Sequence, residues 1–466
     1  MQNKPWTTEQ AQQWYARQPL VLGCNYLPAS AVNTTEMWQA DTYDLDGIDR
    51  ELRLAAAAGL NAVRVFLQYW VWKADPLGLS ARFAAFLDLA EQHGMLVVPV
   101  LFDDCAFAGC EPYLGPQRPP LPGVHNSGWT PSPGFHAADD PAEREGLRAY
   151  AQHFVRSFGM DARVLFWDLY NEPGNSGRGE RALPLLRDVF AWARETRPGQ
   201  PLTAGVWRWP EPGEAEWEAL RLSDVVSFHC YLDLEGTQQV VERLKSYGRP
   251  LFCTEWLHRP AGSRVSTQLP LWASNQTDNK IGSFCWGLCN GRTQTHLSWN
   301  AAENEAPDGP AVWQHDLFRS DGSPYDPEEI ACFRSYAGLD AAPPVSRCGT
   351  LCTVCSLRAP MGCEGCAHIE QPFWGECPLK RCCEDKGLPH CGACGRFPCP
   401  QLTEMVRDGK HRAASPGVGN GRPATQASST EYSHLPAAAG VNLPSKPFCE
   451  QGAGPAYHIR GQRGRR

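Results

Sequence analysis

No apolar run in this 466-residue chain approaches the ~18 to 20 residues that a membrane-spanning helix requires, so no membrane partner is expected. The first twenty residues, MQNKPWTTEQAQQWYARQPL, are polar and lack the basic and apolar regions of an export signal, which implies a cytoplasmic protein. A strong excess of one charge is missing too. Lys and Arg number 43 against 51 Asp and Glu, a formal net charge of -8, so nucleic acid is not expected as the partner of the main body. No internal repeat of fixed period is visible. What is present is a hydrophobic share of 42%, enough for a sizeable core and too much for global disorder.

Two residue types divide the chain. Of 17 Trp, 16 precede residue 340 and only Trp374 follows. Eight Cys (24, 105, 110, 230, 253, 285, 289 and 332) are scattered over that same stretch, whereas eleven crowd between Cys348 and Cys399. The scattered ones, as in SFCWGLC and LFCTEW, read as reduced, buried small hydrophobes. The chain therefore divides into a body at 1–340, a linker at 341–347 stiffened by Pro343-Pro344, a Cys-rich module at 348–408 and a tail at 409–466. Eight Lys and Arg against two acids make the tail basic, and its Gly, Ala, Ser and Pro content reads as disordered; a nucleic-acid or membrane patch is the alternative for this segment alone.

Within the body, eight near-continuous apolar runs stand at 20–27, 61–68, 95–102, 163–170, 201–209, 224–232, 250–256 and 281–288. Such runs are the pattern of parallel strands buried on both faces. Helical spacing fills most of the intervals. Ser80 is placed to cap a helix carrying Phe83, Phe86, Leu87 and Ala90, and Asp140-Pro141 opens another with Leu147, Tyr150, Phe154 and Phe158. Eight strands with intervening helices predict an α/β fold, a (β/α)8 TIM barrel. An open doubly wound sheet usually shows a Gly-rich phosphate loop after an early strand, and PASAVNTTEMW has none.

In a barrel, chemistry belongs at the C-terminal strand ends. The fourth run ends in Asn171-Glu172-Pro173 and the seventh in Thr254-Glu255-Trp256, each putting an acid where an apolar strand gives way to loop. Strands four and seven face each other across a barrel mouth, so the two acids can flank one bound bond. Paired carboxylates about 5 Å apart are what retaining glycoside hydrolysis needs. The body resembles a clan A glycoside hydrolase of the cellulase-like, family 5-like type over residues 19–340. The resemblance implies Glu172 as acid/base, Glu255 as nucleophile and a carbohydrate substrate, with no catalytic cofactor. It implies further that Asn171 bonds the sugar 2-hydroxyl, that Arg64 and Tyr231 steady the nucleophile beside His229, and that Trp286 forms the floor under the reacting sugar. GVHNSGW (123–129) and WGLCNGRTQTHLSW (286–299) resemble a bacterial branch of the same group.

The stretch Phe102-Asp103-Asp104 departs from the family pattern, which carries a His near the end of strand three. His125 and Asn126, from the long loop that follows, are expected to fill that space, with Trp129 as a sugar-stacking candidate. Asp168, inside strand four, reads as a structural acceptor of Arg or backbone hydrogen bonds. A barrel that only binds sugar, or a module that only docks a partner, is the alternative function. Two acids at opposed strand ends speak for the enzyme.

The Cys cluster comprises Cys348, Cys352, Cys355, Cys363, Cys366, Cys377, Cys382, Cys383, Cys391, Cys394 and Cys399. Its three C-x2-C pairs (352/355, 363/366 and 391/394) let two thiolates turn onto one tetrahedral ion, which makes zinc the expected ligand. Cys377-Pro378 and Cys399-Pro400 keep an iron–sulfur cluster open as an alternative. A disulfide framework would need an oxidising compartment. GLPHCGACGRFPCP (387–400) resembles a small Cys-rich bacterial and archaeal domain of unknown function.

Overall fold

The computed structural model describes residues 4–109, 111–209, 211–273, 280–299, 304, 310–339, 347, 369, 371, 376–388, 391, 394, 396 and 399–401. The tail 409–466, most of the linker, and Cys348, Cys352, Cys355, Cys363 and Cys366 of the cluster lie outside them.

Each of the eight apolar runs supplies one strand: β1 (Leu22–Tyr26), β2 (Ala62–Phe66), β3 (Leu96–Asp103), β4 (Trp167–Asn171), β5 (Leu202–Gly205), β6 (Val226–His229), β7 (Leu251–Trp256) and β8 (Gly282–Trp286). All paired neighbours run parallel, in the order β5-β4-β3-β2-β1-β8-β7-β6. A bridge between Val206 and Phe228 joins the two ends. There Val206 N–H donates to Ser227 O at 3.2 Å and His229 N–H to Val206 O at 2.8 Å. The ring is closed, and it is a (β/α)8 barrel.

The strands are apolar throughout because both faces are covered. On β2, Val63 and Val65 face the outer helices, while Ala62, Arg64 and Phe66 face inward at successive heights. The bottom is plugged by the helix Thr8–Ala16, whose Trp14 and Tyr15 pack on Val21, Ala62, Val98, Leu165, Phe166, Val225, Phe252 and Phe284. Burying one such large side chain contributes roughly 1.5–3 kcal/mol. The apolar plug also keeps water from reaching Arg64 from below.

One helix start differs from the sequence expectation. The helix Pro76–Gln92 is capped by Asp75, which accepts from Gly78 N–H at 2.9 Å, and not by Ser80. Asp75 followed by Pro76 is the stronger start, since Pro at the first helical position loses no intrahelical bond. Ser80 sits inside the helix and donates to Pro76 O at 2.8 Å. Asp140 does open its segment, capping the short turn Pro141–Glu143 that leads into the helix Arg144–Phe158.

Candidate active site

Glu172 and Glu255 stand at the mouth of the barrel. Glu172 takes a left-handed φ of 45° directly after β4, in a turn closed by Asn175 N–H donating to Glu172 O at 3.0 Å. A non-glycine residue in that region costs of order 1–3 kcal/mol, and such strain collects at working sites. Glu255 lies in β7 where the register slips against both β6 and β8, an irregularity of the kind that re-aims a side chain. One oxygen of each carboxylate lies within 4.8 Å of the other and of a His229 ring nitrogen.

The two acids have different surroundings. Glu255 accepts from Arg64 Nη1 at 2.8 Å and from Tyr231 Oη at 2.8 Å. Arg64 is fully buried, and all five of its N–H groups are used. Nε donates to Asp168 at 3.0 Å, Nη1 to Asn25 at 2.7 Å and to Glu255, and Nη2 to Asp168 at 2.8 Å and to Asn171 at 2.5 Å. Asp168 thus holds the arginine, as its place inside the strand suggested. Glu172, in contrast, meets neutral donors only. His229 Nδ1 lies 2.6 Å from its Oε1, while Cys105 Sγ, at 3.1 Å, and Asn175 Nδ2 both donate to Oε2. Burial lowers the His229 pKa to about 4 and pushes the Cys105 thiol well up, so the imidazole is neutral and the thiol keeps its proton. Burial also raises both glutamates; the Arg64 charge opposes this at each, joined by the Cys105 and Asn175 donors at Glu172 and by the Tyr231 hydroxyl at Glu255. His229 Nε2 is buried without a partner, close to Gly205 of β5.

No family model matches the sequence, and no curated protein matches it. Among solved structures the chain is similar in shape to several glycoside-cleaving proteins. An exo-β-1,4-mannosidase from Opitutaceae bacterium strain TAV5 shares 19% identity over 68% of this chain and 59% of that one, with a TM-score of 0.48. This chain therefore matches less than two thirds of that protein's length. A GH5_18 protein from Streptomyces cattleya, solved with GlcNAc, shares 15% over 70% and 83% at a TM-score of 0.44. An endo-β-1,4-mannanase from Thermotoga petrophila shares 13% over 68% and 76% at 0.43. The chemistry of the site rests on its side chains.

The remaining sequence candidates spread around this centre. Asn171 is buried, accepting from Arg64 at Oδ1 and donating from Nδ2 to Asp103 at 2.8 Å. Asp103 also accepts from Cys105 N–H at 2.9 Å and Trp129 Nε1 at 2.7 Å, and burial raises its pKa to about 7. Asp104 accepts from Tyr170 Oη at 2.7 Å and Gly174 N–H at 2.8 Å and pairs with Arg178 at 3.0 Å. The Asp103-Asp104 departure is scaffolding for β4. Trp286 is half-buried and packs edge-on against Phe66 and Trp129, with ring centroids 6.0 and 5.8 Å away. Trp129 itself is buried beside it. His125 and Asn126 lie in the loop after β3, where both bond the loop after β8. Cys105 was read from sequence as one of the scattered core thiols, and the structure puts it against Glu172. Its signal was its place, two residues past the end of β3.

Glu172, His229 and Glu255 are the one group among the described residues with the spacing of a cation site, but the Arg64 charge on Glu255 disfavours a second cation there. In the Cys-rich segment, the helix Pro378–Asp385 carries Cys382 and Cys383. Cys383 Sγ lies 3.6 Å from Cys391 Sγ, and Cys382, Cys394 and Cys399 line the same small cavity. Cys377 is buried in the apolar cluster next to it.

Proposed function

We propose that the protein is a retaining β-glycosidase in which Glu255 is the nucleophile and Glu172 the acid/base. The observation that carries this reading is the pair itself: two carboxylates within 4.8 Å, one ion-paired to a buried arginine and the other among neutral donors. Contact with Arg64 keeps Glu255 ionised, so the proton of the site resides on Glu172. Glu255 attacks the anomeric carbon and the glycosidic C–O bond breaks as Glu172 protonates the leaving oxygen. Glu172, now a carboxylate, takes a proton from water. The resulting hydroxide cleaves the glycosyl ester and frees Glu255, so net configuration is retained. Trp286 offers an apolar face to the reacting sugar.

A panel of aryl β-glycosides tests the reading. The β-anomer should appear first by proton NMR, and a 2-deoxy-2-fluoro glycoside should leave its sugar on the peptide containing Glu255. Glu255→Ala should abolish turnover, and Trp286→Ala should lower it strongly in a folded protein. An α-anomer as first product, or label on another residue, would sink the assignment.

We further propose that the Cys-rich segment binds zinc. Two thiolates on one tetrahedral ion with Zn–S of ~2.3 Å stand roughly 3.8 Å apart, and a disulfide would need ~2.05 Å. The 3.6 Å between Cys383 and Cys391 fits the ion. Cys382, Cys394 and Cys399 are at hand to complete its thiolate shell.

A further inference from the structure

The loops that follow β3 and β8 are clasped together. Asn126 N–H donates to Thr293 O at 2.8 Å, and Gln294 Nε2 reaches back to Leu121 O at 2.8 Å. His125 completes the clasp. Its Nδ1 lies 2.7 Å from Leu297 O, and its Nε2 lies 3.1 Å from the indole nitrogen of Trp299. An indole N–H only donates and a carbonyl oxygen only accepts, so the ring is neutral with its proton on Nδ1. Burial agrees, lowering the His125 pKa to about 4. A neutral imidazole has one donor and one acceptor, and here both are taken, which leaves no ring nitrogen for a sugar hydroxyl.

Trp299 is the residue that the clasp holds. Its backbone N–H donates to Oε1 of the buried Gln314 at 2.8 Å. The Gln314 amide nitrogen lies 3.2 Å from His315 Nε2, and His315 Nδ1 lies 2.5 Å from Leu257 O. The two rings fixed in this way meet at Tyr231. Trp299 and Tyr231 have centroids 5.1 Å apart with planes at 83°, an edge-to-face contact, and His315 lies 5.5 Å from Tyr231. Tyr231 stands two residues past the end of β6 and is only half-buried, so loop residues brace its ring. Its hydroxyl donates to Glu255 Oε2 at 2.8 Å.

We infer that Trp299 is a positioning residue for the nucleophile. Clamped by His125 and Gln314, its indole braces the Tyr231 ring, and Tyr231 carries that constraint to Glu255. The inference rests on the glycosidase reading above and adds that the loop after β8 acts on the chemical step through one phenol hydroxyl.

A double-mutant cycle tests it, on the full chain and the nitrophenyl β-glycoside that it cleaves best. Tyr231→Phe removes the hydroxyl and keeps the ring, and kcat should fall roughly 10- to 100-fold, the size of one hydrogen bond to a charged group. Trp299→Ala frees the phenol to swing away and should lower kcat about tenfold while KM changes less than about twofold. Added to Tyr231→Phe, it should cost less than about twofold more, because both changes break the same link. His125→Gln, which can keep both bonds, should stay active, whereas His125→Ala should match Trp299→Ala. Circular dichroism checks the fold, and Trp299→Leu replaces Trp299→Ala in the cycle if the latter unfolds. Losses that multiply in the double variant, or a rise in KM as large as the fall in kcat, overturn the inference, since Trp299 would then act by a route of its own. A native protein that cleaves no aryl glycoside overturns the glycosidase reading itself.

Discussion

Glu172 is bonded by Cys105, Asn175 and His229, and the thiol is the one donor of the three that can be exchanged for oxygen with little change of shape. A donor aimed at a carboxylate favours the ionised form, so Cys105 draws the Glu172 pKa down from where burial has pushed it. In Cys105→Ala the donor is gone and the Glu172 pKa rises further. The alkaline limb of kcat/KM, where Glu172 loses the proton it must give the leaving group, should then move to higher pH. Cys105→Ser keeps a donor and should leave the limb near its original place. A limb that does not move in Cys105→Ala would show that the thiol does not bond the acid. At this scale the places of Glu172 and Glu255 were legible because apolar strands end there, whereas Arg64, His229 and Tyr231 were singled out by the family resemblance alone; all five meet around one centre. Cys105 and Asn175 were not, because their contacts depend on how the turns after β3 and β4 fold back.

The strands were legible for a plain reason: residues buried on both faces leave no alternation to misread. The start of the helix Pro76–Gln92 was misplaced because a downstream Ser looked like a cap while Asp75-Pro76 already supplied one. The loop clasp could not be read at all, since Asn126 and Thr293 lie 167 positions apart and nothing local encodes their bond. Strand β5 makes a prediction of its own. A Cβ on Gly205 would lie 2.8 Å from His229 Nε2, closer than real contacts allow, and a tight 3.2 Å from Cε1. Gly205→Ala therefore displaces the imidazole and removes the Nδ1 donor from Glu172. A hydrogen bond to a charged group is worth ~1.5–3 kcal/mol, so kcat should fall roughly 10- to 100-fold. Circular dichroism should show the barrel still folded. An unchanged kcat would mean that His229 does not position the acid.

The opposite distributions of Trp and Cys divide the sequence into a Trp-rich body, which folds as the barrel, and a Cys-rich segment. The barrel stabilises itself by burial: an apolar plug below, helices around, and an ionic centre in which every Arg64 donor is satisfied. For the Cys-rich segment we expect a bound metal to take that part instead. Some sixty residues with few large apolar side chains bury too little surface, whereas a tetrahedral thiolate site supplies an apparent ~10–16 kcal/mol. Full-length protein made under reducing conditions should therefore contain one or two zinc ions per chain by elemental analysis. A strong chelator should remove them and abolish one thermal transition, while hydrolysis of the aryl glycoside continues at its original rate, because the partners that Glu172, Glu255 and Arg64 have among the described residues all belong to the barrel. Iron with labile sulfide would place the segment in the cluster class. No metal, with the transition insensitive to chelator, would mean that the thiols hold nothing and that the 3.6 Å pair is only packing.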